Sequence, residues 1–595
     1  MAEKTAIELI EQNARLHPDA TAITYREGEI WHSLSWETFW CEIARTANGL
    51  KSLGLKENDC ACIYSQNSKD WIIFDLAVQI AGGIAVPIYA TSTFDQAMFI
   101  IEETESNFLF CGSANQTTIV TSIRNEIQRP EYILTSHKSE EENHNIHELS
   151  AWNKKFSENF EFKTPDTEET ATIIYTSGTT GTPKGVVLTH GNFSSVIKAH
   201  KLRFKLNNMH GTRSLAFLPL SHVFEREWSL FVLSQGGEVI VLDNPKDILE
   251  TLKKQKPTAL CAVPRLYEKI YQSINSTINN SGPLKKRILK SALSVGIQFS
   301  EKKRTGAKIP VTLKLKHDFF NRVAYKKIRT EFGDNLNFLP VGGAMIKKEI
   351  SEFMEAIGMP IIVGYGLTET SATVTCYPEK NYVHGSAGKP LPDIEIKIGA
   401  DDEILVKSNG VMKGYYKNPE ETKNVFTNDG FFKTGDCGRI DEEGNLYITD
   451  RIKDLMKTSN GKYIAPQPIE ISLLTSPEIV QAMIIADERP FVTSLIVPDL
   501  EILSKQHPNL ESFQKLSEEE QHSLLNSEGI RERFQKIIEE IQKKHSPFEK
   551  IKRFKLLPKE FTIENGELTP TLKIKRSVVL AKLKPIIDAM YDHNR

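Results

Sequence analysis

The sequence predicts an α/β protein, with a large N-terminal domain of layered sheets and a smaller α+β domain at the C-terminus. Apolar patterns of helical and strand-like period alternate through most of the 595 residues, which is typical of largely parallel sheets covered by helices. From about Arg451 onward the pattern changes, and short strands alternate with polar helices rich in Glu and Lys. We therefore expect the large domain over residues 1–450 and the small domain over residues 451–595.

Local patterns place the first elements of the large domain. A helix is expected over about residues 35–53, followed by a strand over residues 60–64. The longest apolar region, residues 71–87, contains Asp75, Gln79 and two glycines. It is therefore too polar to span a bilayer, and it predicts a buried helix followed by a strand.

Two later segments also combine strands with a helix. Residues 239–242 and residues 258–263 are predicted strands with a helix between them, which makes a βαβ unit. Farther along, a helical pattern leads to a strand at residues 361–363, directly before residues 364–369. Ligands bind beyond the carboxyl ends of strands in open α/β sheets, so residues 364–369 are a candidate ligand site.

Composition excludes several classes of protein. The net charge of −3 argues against a nucleic-acid-binding protein. The seven cysteines are scattered, odd in number and without a C-x-x-C pair, so they predict reduced thiols, not a disulfide framework or a zinc site. The N-terminus has no apolar stretch typical of a signal peptide. We expect a soluble cytoplasmic protein that does not bind nucleic acid.

A loop rich in hydroxyls and glycines lies between two predicted strands, residues 173–175 and residues 186–188. Glycines let the backbone approach a ligand, N–H and O–H groups donate hydrogen bonds, and Lys184 supplies positive charge, as phosphate binding requires. The other residues that we expect to contribute are Thr176, Ser177, Gly178, Thr179, Thr180, Gly181 and Thr182. It is not a Walker A loop, because Pro183 occupies the place of the second glycine and Gly185 follows the lysine. A solvated turn is the alternative.

Further short motifs follow the loop in order. They are LPLSHV at 218–223, VGGA at 341–344, YGLTET at 365–370, KGYYKNPE at 413–420, FKTGD at 432–436, DRIKD at 450–454 and LTPTLKIKR at 568–576. The ordered set resembles the adenylate-forming superfamily, which comprises AMP-binding acyl-CoA synthetases, adenylation domains and luciferases. Residues 218–227, 388–393 and 460–467 are most similar to bacterial long-chain fatty acyl-CoA synthetases. The resemblance extends over almost the whole chain.

The resemblance implies a site for ATP and Mg²⁺. Glu369 would ligate Mg²⁺ between the phosphates, since a hard oxygen ligand suits that ion. Thr368 would donate to the α-phosphate, while the hydroxyl-rich loop and Lys184 would hold the β- and γ-phosphates. A helix N-cap with an acidic neighbour is the alternative for Thr368 and Glu369. The remaining matched residues would bind the nucleoside. Tyr365 would stack on adenine, with Gly366 of the same motif and Gly342, Gly343 and Ala344 beside it. Asp436 would accept both ribose hydroxyls, and Arg451 would lie on the ribose or phosphate side.

Three further positions match residues that act in the two half-reactions of this family. Lys573 would bridge the acyl carboxylate and the α-phosphate, although Leu572 replaces the usual preceding glycine and Lys575 lies two residues away. A basic tail near the C-terminus is the alternative. Lys453 would be the hinge about which the small domain rotates between the half-reactions. His222 would line the acyl pocket and gate substrate and coenzyme A, and a structural histidine is the alternative.

The implied activity is that of a long-chain fatty acid–CoA ligase. ATP and a fatty acid would give acyl-AMP and pyrophosphate, and coenzyme A would then give acyl-CoA and AMP. The alternatives are an acyl-ACP ligase, a fatty acyl-AMP ligase, an aryl- or branched-acid CoA ligase, and a nucleotide-binding scaffold without activity. Phe224 and Trp228, which follow His222, either line an apolar acyl tunnel or belong to the core.

A basic stretch lies between Lys285 and Arg329. It contains 14 lysines and arginines against only Glu301 and Asp318. One interpretation is a solvated helical face. The others are attraction to anionic lipid headgroups, which would bring the protein to the inner face of a membrane, or to the phosphates of coenzyme A.

Overall fold

The computed structural model describes residues 4–138, 145–176, 183–279, 281–452, 455–460, 462–504, 507, 510, 513–562, 565–568 and 574–592. Within these residues, helices pack against mixed and antiparallel β-sheets in which many strand pairs are parallel, which confirms the predicted α/β class. No helix in the described ranges is both long enough and apolar enough to cross a membrane.

An eight-stranded sheet carries the hydroxyl-rich loop at one of its hairpins. Its strands, in spatial order, are Gly414–Tyr415, Lys184–Thr189, Thr170–Thr176, Ile84–Ile88, Cys60–Tyr64, Phe108–Cys111, Tyr132–Thr135 and Ile146–Glu148. The first three pair antiparallel and the rest run parallel. The accompanying helices are Trp36–Ser52, Lys69–Ile80, Phe94–Glu103, Ala114–Ile127 and Leu149–Asn153. In Lys69–Ile80 every residue from Trp71 onward is buried, so the apolar region at 71–87 forms the predicted buried helix and strand.

A second sheet has five strands and contains the predicted βαβ unit. Its order is Ala259–Leu260, Arg213–Ala216, Glu238–Val241, Thr21–Glu27 and Ile30–Ser35, and only the last pair is antiparallel. The helix Ile248–Gln255 connects Glu238–Val241 to Ala259–Leu260, with Arg213–Ala216 between these two strands. Other elements of this part are Ala6–Leu16, His190–Phe204, Val223–Ser234 and the 3-10 helix Pro245–Asp247.

Two four-stranded sheets complete the large domain. One has the order Leu339–Val341, Ile361–Tyr365, Thr375–Cys376 and Lys389–Pro390, and the other is the antiparallel sheet Glu395–Ile398, Glu403–Lys407, Phe432–Ile440 and Leu446–Arg451. The antiparallel sheet was not predicted, because its edge strand Glu395–Ile398 is partly exposed and lacks a long apolar run. The helices here are Pro264–Asn279, Pro283–Arg304, Val311–Phe320, Lys326–Thr330, Lys348–Ala356 and Pro419–Asn424, with the 3-10 helices Thr368–Thr370 and Ala400–Asp402.

The C-terminal part has its own apolar clusters. Its three-stranded sheet comprises Ile479–Ile485, Thr493–Pro498 and Arg553–Leu556, and a two-stranded ribbon pairs Met456–Lys457 with Tyr463–Ile464. Its helices are Pro466–Leu473, Leu500–Ser504, Phe513–Lys515, Glu518–Leu525, Glu528–Ile541, Gln542–Lys544, Arg576–Lys582 and Lys584–Ala589. Two clusters of buried apolar side chains draw only on residues 456–591. The boundary at residues 450 and 451 stays a prediction.

Candidate active site

Two of the glycine-containing motifs meet at one edge of a sheet. The strands Leu339–Val341 and Ile361–Tyr365 run parallel in register, with Val341 opposite Val363. Their carboxyl ends therefore lie side by side, and the chain continues into residues 342–344 from one strand and residue 366 from the other. This is the place where an open sheet offers a crevice to a ligand.

The backbone at this edge depends on its glycines. Gly343 has φ +82, a conformation that residues with a Cβ rarely adopt. At Gly366 a Cβ would lie 1.5 Å from the carbonyl oxygen of Ala372, so any side chain would displace the turn that follows. At Gly342 a Cβ would meet the Phe224 ring at 3.1 Å, which places the aromatic residue of the 218–227 segment against this motif.

Tyr365, Asp436 and Arg451 form a hydrogen-bonded group. The Tyr365 hydroxyl donates to Oδ2 of Asp436 at 2.7 Å, and Nε of Arg451 donates to Oδ1 at 3.0 Å. Asp436 and Arg451 face each other directly across two antiparallel strands. Burial, aided by the Asp436 charge, raises the pKa of Tyr365 well above its usual range, so its hydroxyl remains a donor. Three residues predicted to bind the nucleoside are thus brought together.

Glu369 and Lys184 form a second group through Tyr415. The Tyr415 hydroxyl donates to Oε1 of Glu369 at 3.0 Å, and the Tyr415 ring centroid lies 5.4 Å from Nζ of Lys184. Lys184 forms an ion pair with Glu421. Burial, followed by the charge of Glu369, raises the pKa of Tyr415 above its usual range. The predicted Mg²⁺ ligand and the predicted phosphate lysine therefore both contact Tyr415, one at its hydroxyl and the other over its ring.

The remaining predicted phosphate contacts flank this group. Thr176 ends its strand and pairs in register with Lys184, which begins the next strand. Thr368 lies in the 3-10 helix Thr368–Thr370, for which Leu367 is the N-cap, so the N-cap alternative does not apply to Thr368. The predicted residues Ser177, Gly178, Thr179, Thr180, Gly181, Thr182, Lys453 and Lys573 lie outside the described residues.

His222 stands at the N-cap of the helix Val223–Ser234. Its Nδ1 accepts the backbone N–H of Phe224 at 3.2 Å, so the neutral tautomer with its proton on Nε2 fits this geometry. Trp228, one turn farther along, is a core residue: it is 2% exposed, donates from Nε1 to Ser214 and stacks on Phe338. Of the two aromatic residues considered for an acyl tunnel, only Phe224 remains.

Two polar residues fix the segment that leads to His222. Asn67 donates from Nδ2 to the carbonyl of Leu218 at 2.7 Å and accepts the N–H of Leu220 at 2.9 Å. Oε2 of Glu225 accepts the N–H of Leu218 at 3.1 Å. Glu225 is completely buried, and this burial raises its pKa to about 8. At neutral pH it is therefore largely protonated.

A buried ion pair anchors the same helix. Arg226 donates from Nε to Oδ2 of Asp75 at 3.0 Å and from Nη1 to the hydroxyl of Thr172 at 2.5 Å. Both charged side chains are almost fully buried. Breaking such a pair by removing one partner leaves an uncompensated charge and is strongly destabilising. The helix that begins after His222 is thus fixed to the eight-stranded sheet through Thr172.

Sequence reasoning assigned no role to four residues that shape this site: Asn67, Glu225, Tyr415 and Glu421. Tyr415 lies inside the motif at 413–420, and Glu421 follows that motif directly. Asn67 offers no local signal, since its partner Leu218 is 151 residues away. Glu225 carries only a weak signal, because it is the first of three consecutive charged residues near the start of the helix.

Comparison with known proteins places this geometry in a family. Residues 10–416 match the model of the AMP-binding enzyme family, and residues 453–595 match the model of the AMP-binding enzyme C-terminal domain. The chain belongs to the AMP-binding enzyme family.

Individual relatives cover nearly the whole chain. The long-chain-fatty-acid–CoA ligase FadD15 of Mycobacterium bovis is 32% identical over 98% of this chain and 96% of its own length. The peroxisomal long chain acyl-CoA synthetase 7 of Arabidopsis thaliana is 29% identical over 94% of this chain and 82% of its own length. Among solved structures, the anthranilate CoA ligase AuaEII in complex with anthranoyl-AMP has a TM-score of 0.75 at 18% identity and covers 99% of both chains. The last similarity establishes the fold.

Proposed function

We propose that this protein is a long-chain fatty acid–CoA ligase. Its reaction would join ATP and a fatty acid into acyl-AMP with release of pyrophosphate, and then transfer the acyl group to coenzyme A with release of AMP. One observation carries the proposal: the hydrogen-bonded group Tyr365–Asp436–Arg451 lies where two parallel strands end. The names of the similar curated proteins support the acyl specificity.

The nucleoside end of ATP would bind at that sheet edge. Adenine would lie beside Gly342, Gly343 and Ala344 against the Tyr365 ring, and the ribose hydroxyls would donate to Asp436. A carboxylate has about four acceptor sites, so Asp436 can keep its bonds from Tyr365 and Arg451 while it accepts a ribose. The existing bonds hold the carboxylate in one orientation before the nucleotide arrives.

The triphosphate would extend toward Lys184. There the hydroxyl of Thr176, the backbone and hydroxyls of residues 177–182, and the Lys184 ammonium would supply donors and positive charge. Lys184 is ion-paired with Glu421, so a polyphosphate would compete with that carboxylate for the ammonium. Thr368 would donate to the α-phosphate, where the incoming carboxylate attacks.

Glu369 fits the role of a Mg²⁺ ligand. Mg²⁺ is usually held by one or two carboxylates together with substrate phosphates, not by a cage of protein ligands. The described residues contain no cluster of three or more His, Cys, Asp or Glu side chains suited to a metal, which agrees with a single-carboxylate site. The Tyr415 hydroxyl orients Oε1 of Glu369 and leaves Oε2 for an ion. When bound, Mg²⁺ would offset the negative charge of the phosphates.

In the first step a carboxylate oxygen of the fatty acid forms a bond to the α-phosphorus, and the bond to the pyrophosphate oxygen breaks. Both reactants are anions, so catalysis depends on orientation and on charge that offsets their repulsion. We assign this role to Lys573, which would bridge the acyl carboxylate and the α-phosphate, together with Lys184.

In the second step the thiol sulfur of coenzyme A attacks the acyl carbonyl, and the carbon–oxygen bond to AMP breaks. The thiol releases its proton to solvent, and AMP leaves as the stable anion. His222 would lie at the wall of the acyl pocket, near the entry of the thiol. Rotation of residues 451–595 about Lys453 would withdraw Lys573 between the steps.

The proposal also includes the location of the protein in the cell. ATP and coenzyme A as cosubstrates, together with seven free cysteines, favour the reducing cytoplasm. A long-chain acid is poorly soluble, so transient contact with an anionic membrane belongs to the same proposal.

A panel of acids tests the proposal. AMP release would be measured with acetate, benzoate, octanoate, palmitate and oleate, each with and without coenzyme A. AMP and acyl-CoA formed from the long-chain acids support the ligase. Acyl-AMP from long chains without transfer to coenzyme A would point to a carrier-protein or acyl-AMP ligase, and conversion of benzoate alone to an aryl-acid ligase. No turnover of any acid would contradict the enzyme and leave the nucleotide-binding scaffold.

A further inference from the structure

A row of large apolar side chains is exposed along one helical segment of the basic stretch. The helix Val311–Phe320 continues through the π-helical turn Asn321–Tyr325 into the helix Lys326–Thr330. Four apolar side chains spaced four residues apart are exposed: Val311 by 73%, Leu315 by 65%, Phe319 by 59% and Val323 by 43%. Residues at this spacing lie on one helix face. We call these four residues the apolar stripe.

The apolar stripe is not needed for packing, because the segment has a separate buried face. Leu313, Ala324 and Tyr325 are buried, and the Tyr325 hydroxyl donates to the carbonyl of Ala292 at 2.5 Å. The His317 ring stacks on Phe299 at a centroid distance of 3.7 Å. The segment is therefore fixed against the helix Pro283–Arg304, while the stripe points to solvent.

Cations surround the apolar stripe. The exposed basic residues of the same segment are Lys314, Lys316, Arg322, Lys326 and Lys327. Among the ion pairs of the described residues, none involves any of these five side chains. The only acidic residue between Val311 and Lys327 is Asp318, which lies 3.6 Å from the Nδ1 atom of His317. The surface is thus both apolar and strongly positive.

The neighbouring helix also exposes apolar and basic side chains. Phe299 contacts His317 and Ala292 contacts Tyr325, so Pro283–Arg304 runs antiparallel to the stripe segment. Its first turns expose Leu284 by 75% and Ile288 by 44%, with Lys285, Arg287 and Lys290 exposed around them.

We propose that this surface docks the protein reversibly on an anionic lipid bilayer. Helices with an apolar row among lysines and arginines lie in the plane of the interface, with the apolar side chains at the boundary of headgroups and acyl chains. The stripe from Val311 to Val323 is about 18 Å long at 1.5 Å per residue, so it would lie flat on the surface. The cations would meet lipid phosphates. The benefit of docking, access to membrane-dissolved acid, rests on the proposed function.

Charge favours a bilayer over a second copy of the chain. A symmetric dimer through the stripe would bring two sets of five cations together, and like charges in contact disfavour association. An anionic bilayer instead supplies negative charge to all the basic side chains around the apolar stripe. Side chains that protrude from a single helix also insert among headgroups without a matching pocket.

Vesicle sedimentation of the full chain tests the proposal. The vesicles would contain phosphatidylcholine alone or phosphatidylcholine mixed with phosphatidylglycerol. One variant carries Leu315→Gln and Phe319→Gln, and another carries Lys314→Glu, Lys316→Glu and Lys326→Glu. The matched control reverses three exposed lysines elsewhere, Lys56→Glu, Lys163→Glu and Lys246→Glu.

We expect the wild type and the control to bind the anionic vesicles and to bind pure phosphatidylcholine weakly. Each cation near an anionic surface contributes about fivefold to partitioning, so the lysine variant should bind at least about tenfold less. The glutamine variant should also lose binding, because the apolar insertion is gone. Palmitoyl-CoA formation from detergent-dispersed palmitate should be unchanged in both variants, which also verifies that they fold. If the lysine-to-glutamate variant does not form palmitoyl-CoA normally, it is replaced by a variant with Lys→Gln changes at the same three positions.

Equal vesicle binding by all four proteins, or no binding by the wild type, would overturn the proposal. Dissociation of a wild-type dimer by the glutamine variant, with vesicle binding unchanged, would assign the stripe to self-association. If the wild type binds purified acyl carrier protein but not vesicles, and both variants lose this binding, the surface would be assigned to an acidic protein partner. Vesicle binding that depends on the surface, in a protein that forms no acyl-CoA, would uphold docking and contradict the proposed function.

Discussion

Tyr415 donates its hydroxyl to Oε1 of Glu369 at 3.0 Å, and its ring lies beside the ammonium of Lys184. Tyr415 belongs to a short strand that pairs with the strand of Lys184, whereas Glu369 follows the strand Ile361–Tyr365 of another sheet. One tyrosine therefore links the residue proposed for Mg²⁺ to the residue proposed for phosphate, and it does so across two sheets.

Replacing Tyr415 with Phe should weaken the response to Mg²⁺. The change removes the hydrogen bond to Glu369 and keeps the ring beside Lys184. A hydrogen bond to a charged group contributes about 1.5–3 kcal/mol, so the Mg²⁺ concentration for half-maximal adenylation should rise by about tenfold or more. The measurement is acid-dependent pyrophosphate exchange over a Mg²⁺ titration. Tyr416→Phe is the matched control, and equal Mg²⁺ curves for both variants would contradict the orienting role.

Glu421→Gln should strengthen the binding of ATP. The ion pair with Lys184 competes with the polyphosphate, and a pair of this partly exposed kind is worth about 0.2–1 kcal/mol. The KM for ATP should therefore fall by up to about fivefold, while Lys184→Met should raise it. Glu420→Gln, one residue away and exposed, is the control. A rise in KM with Glu421→Gln would show instead that Glu421 positions Lys184 for phosphate.

Asp436→Ala should remove the preference for ribose over deoxyribose. In the wild type the carboxylate would accept both ribose hydroxyls, so 2′-deoxy-ATP should be a poorer substrate than ATP. Loss of one hydrogen bond to a charged acceptor lowers kcat/KM by about tenfold or more. In the variant the two nucleotides should react at similar, reduced rates. An unchanged ratio of kcat/KM values would place the ribose elsewhere, and thermal unfolding would show whether the fold survives.

Lys573→Ala should abolish adenylation and spare thioester formation. Loss of one charged group that acts on the transition state costs about 10²-fold or more. Pyrophosphate exchange should fall accordingly, whereas preformed palmitoyl-AMP should still react with coenzyme A at near the wild-type rate. Lys575→Ala is the matched control, because it lies two residues away in the same basic segment. Equal losses in both half-reactions, or a larger effect of Lys575→Ala, would contradict the assignment.

Glu225→Gln should change how stability depends on pH. Burial raises the pKa of Glu225 from 4.5 to about 8, so the folded protein binds this proton more tightly than the unfolded chain does. Stability therefore falls with rising pH between about 4.5 and about 8, by as much as about 1.4 kcal/mol per pH unit. Glutamine cannot ionise and can still accept the N–H of Leu218.

The measurement is denaturant unfolding of wild type and Glu225→Gln at several pH values from 5 to 8, within the window set by the shifted pKa. The stability of the variant relative to the wild type should increase steadily across this range. A constant difference would mean that Glu225 is already ionised in the folded protein.

The parts of the site that sequence predicts best follow from strand direction. The carboxyl-end rule predicts residues 364–369 from the sequence alone, and the parallel pairing of Val341 with Val363 brings the VGGA motif beside them. The buried helix at residues 69–80 was also predictable, because an apolar run interrupted by Asp75 and Gln79 is too polar for a membrane. Both predictions depend only on local pattern.

The parts that sequence does not predict are long-range polar contacts. Nothing near Asn67 indicates that it fixes the segment before His222, and nothing near Lys184 indicates that Glu421 will pair with it. Such pairs depend on how sheets are stacked, which local periodicity does not record. The family resemblance predicts a role for Asp436 and a role for Arg451, but it does not predict that they are in contact. The antiparallel pairing of their strands shows that they face each other.

Oxygen-isotope transfer tests the central claim most directly. Palmitate labelled with oxygen-18 at both carboxylate oxygens would be incubated with the wild-type protein, ATP and coenzyme A, and the products analysed by mass spectrometry. Attack of the carboxylate on the α-phosphorus followed by thioester formation predicts one labelled oxygen in AMP, one in palmitoyl-CoA and none in pyrophosphate. Label in inorganic phosphate, with ADP as the nucleotide product, or unlabelled AMP, would contradict an AMP-forming ligase.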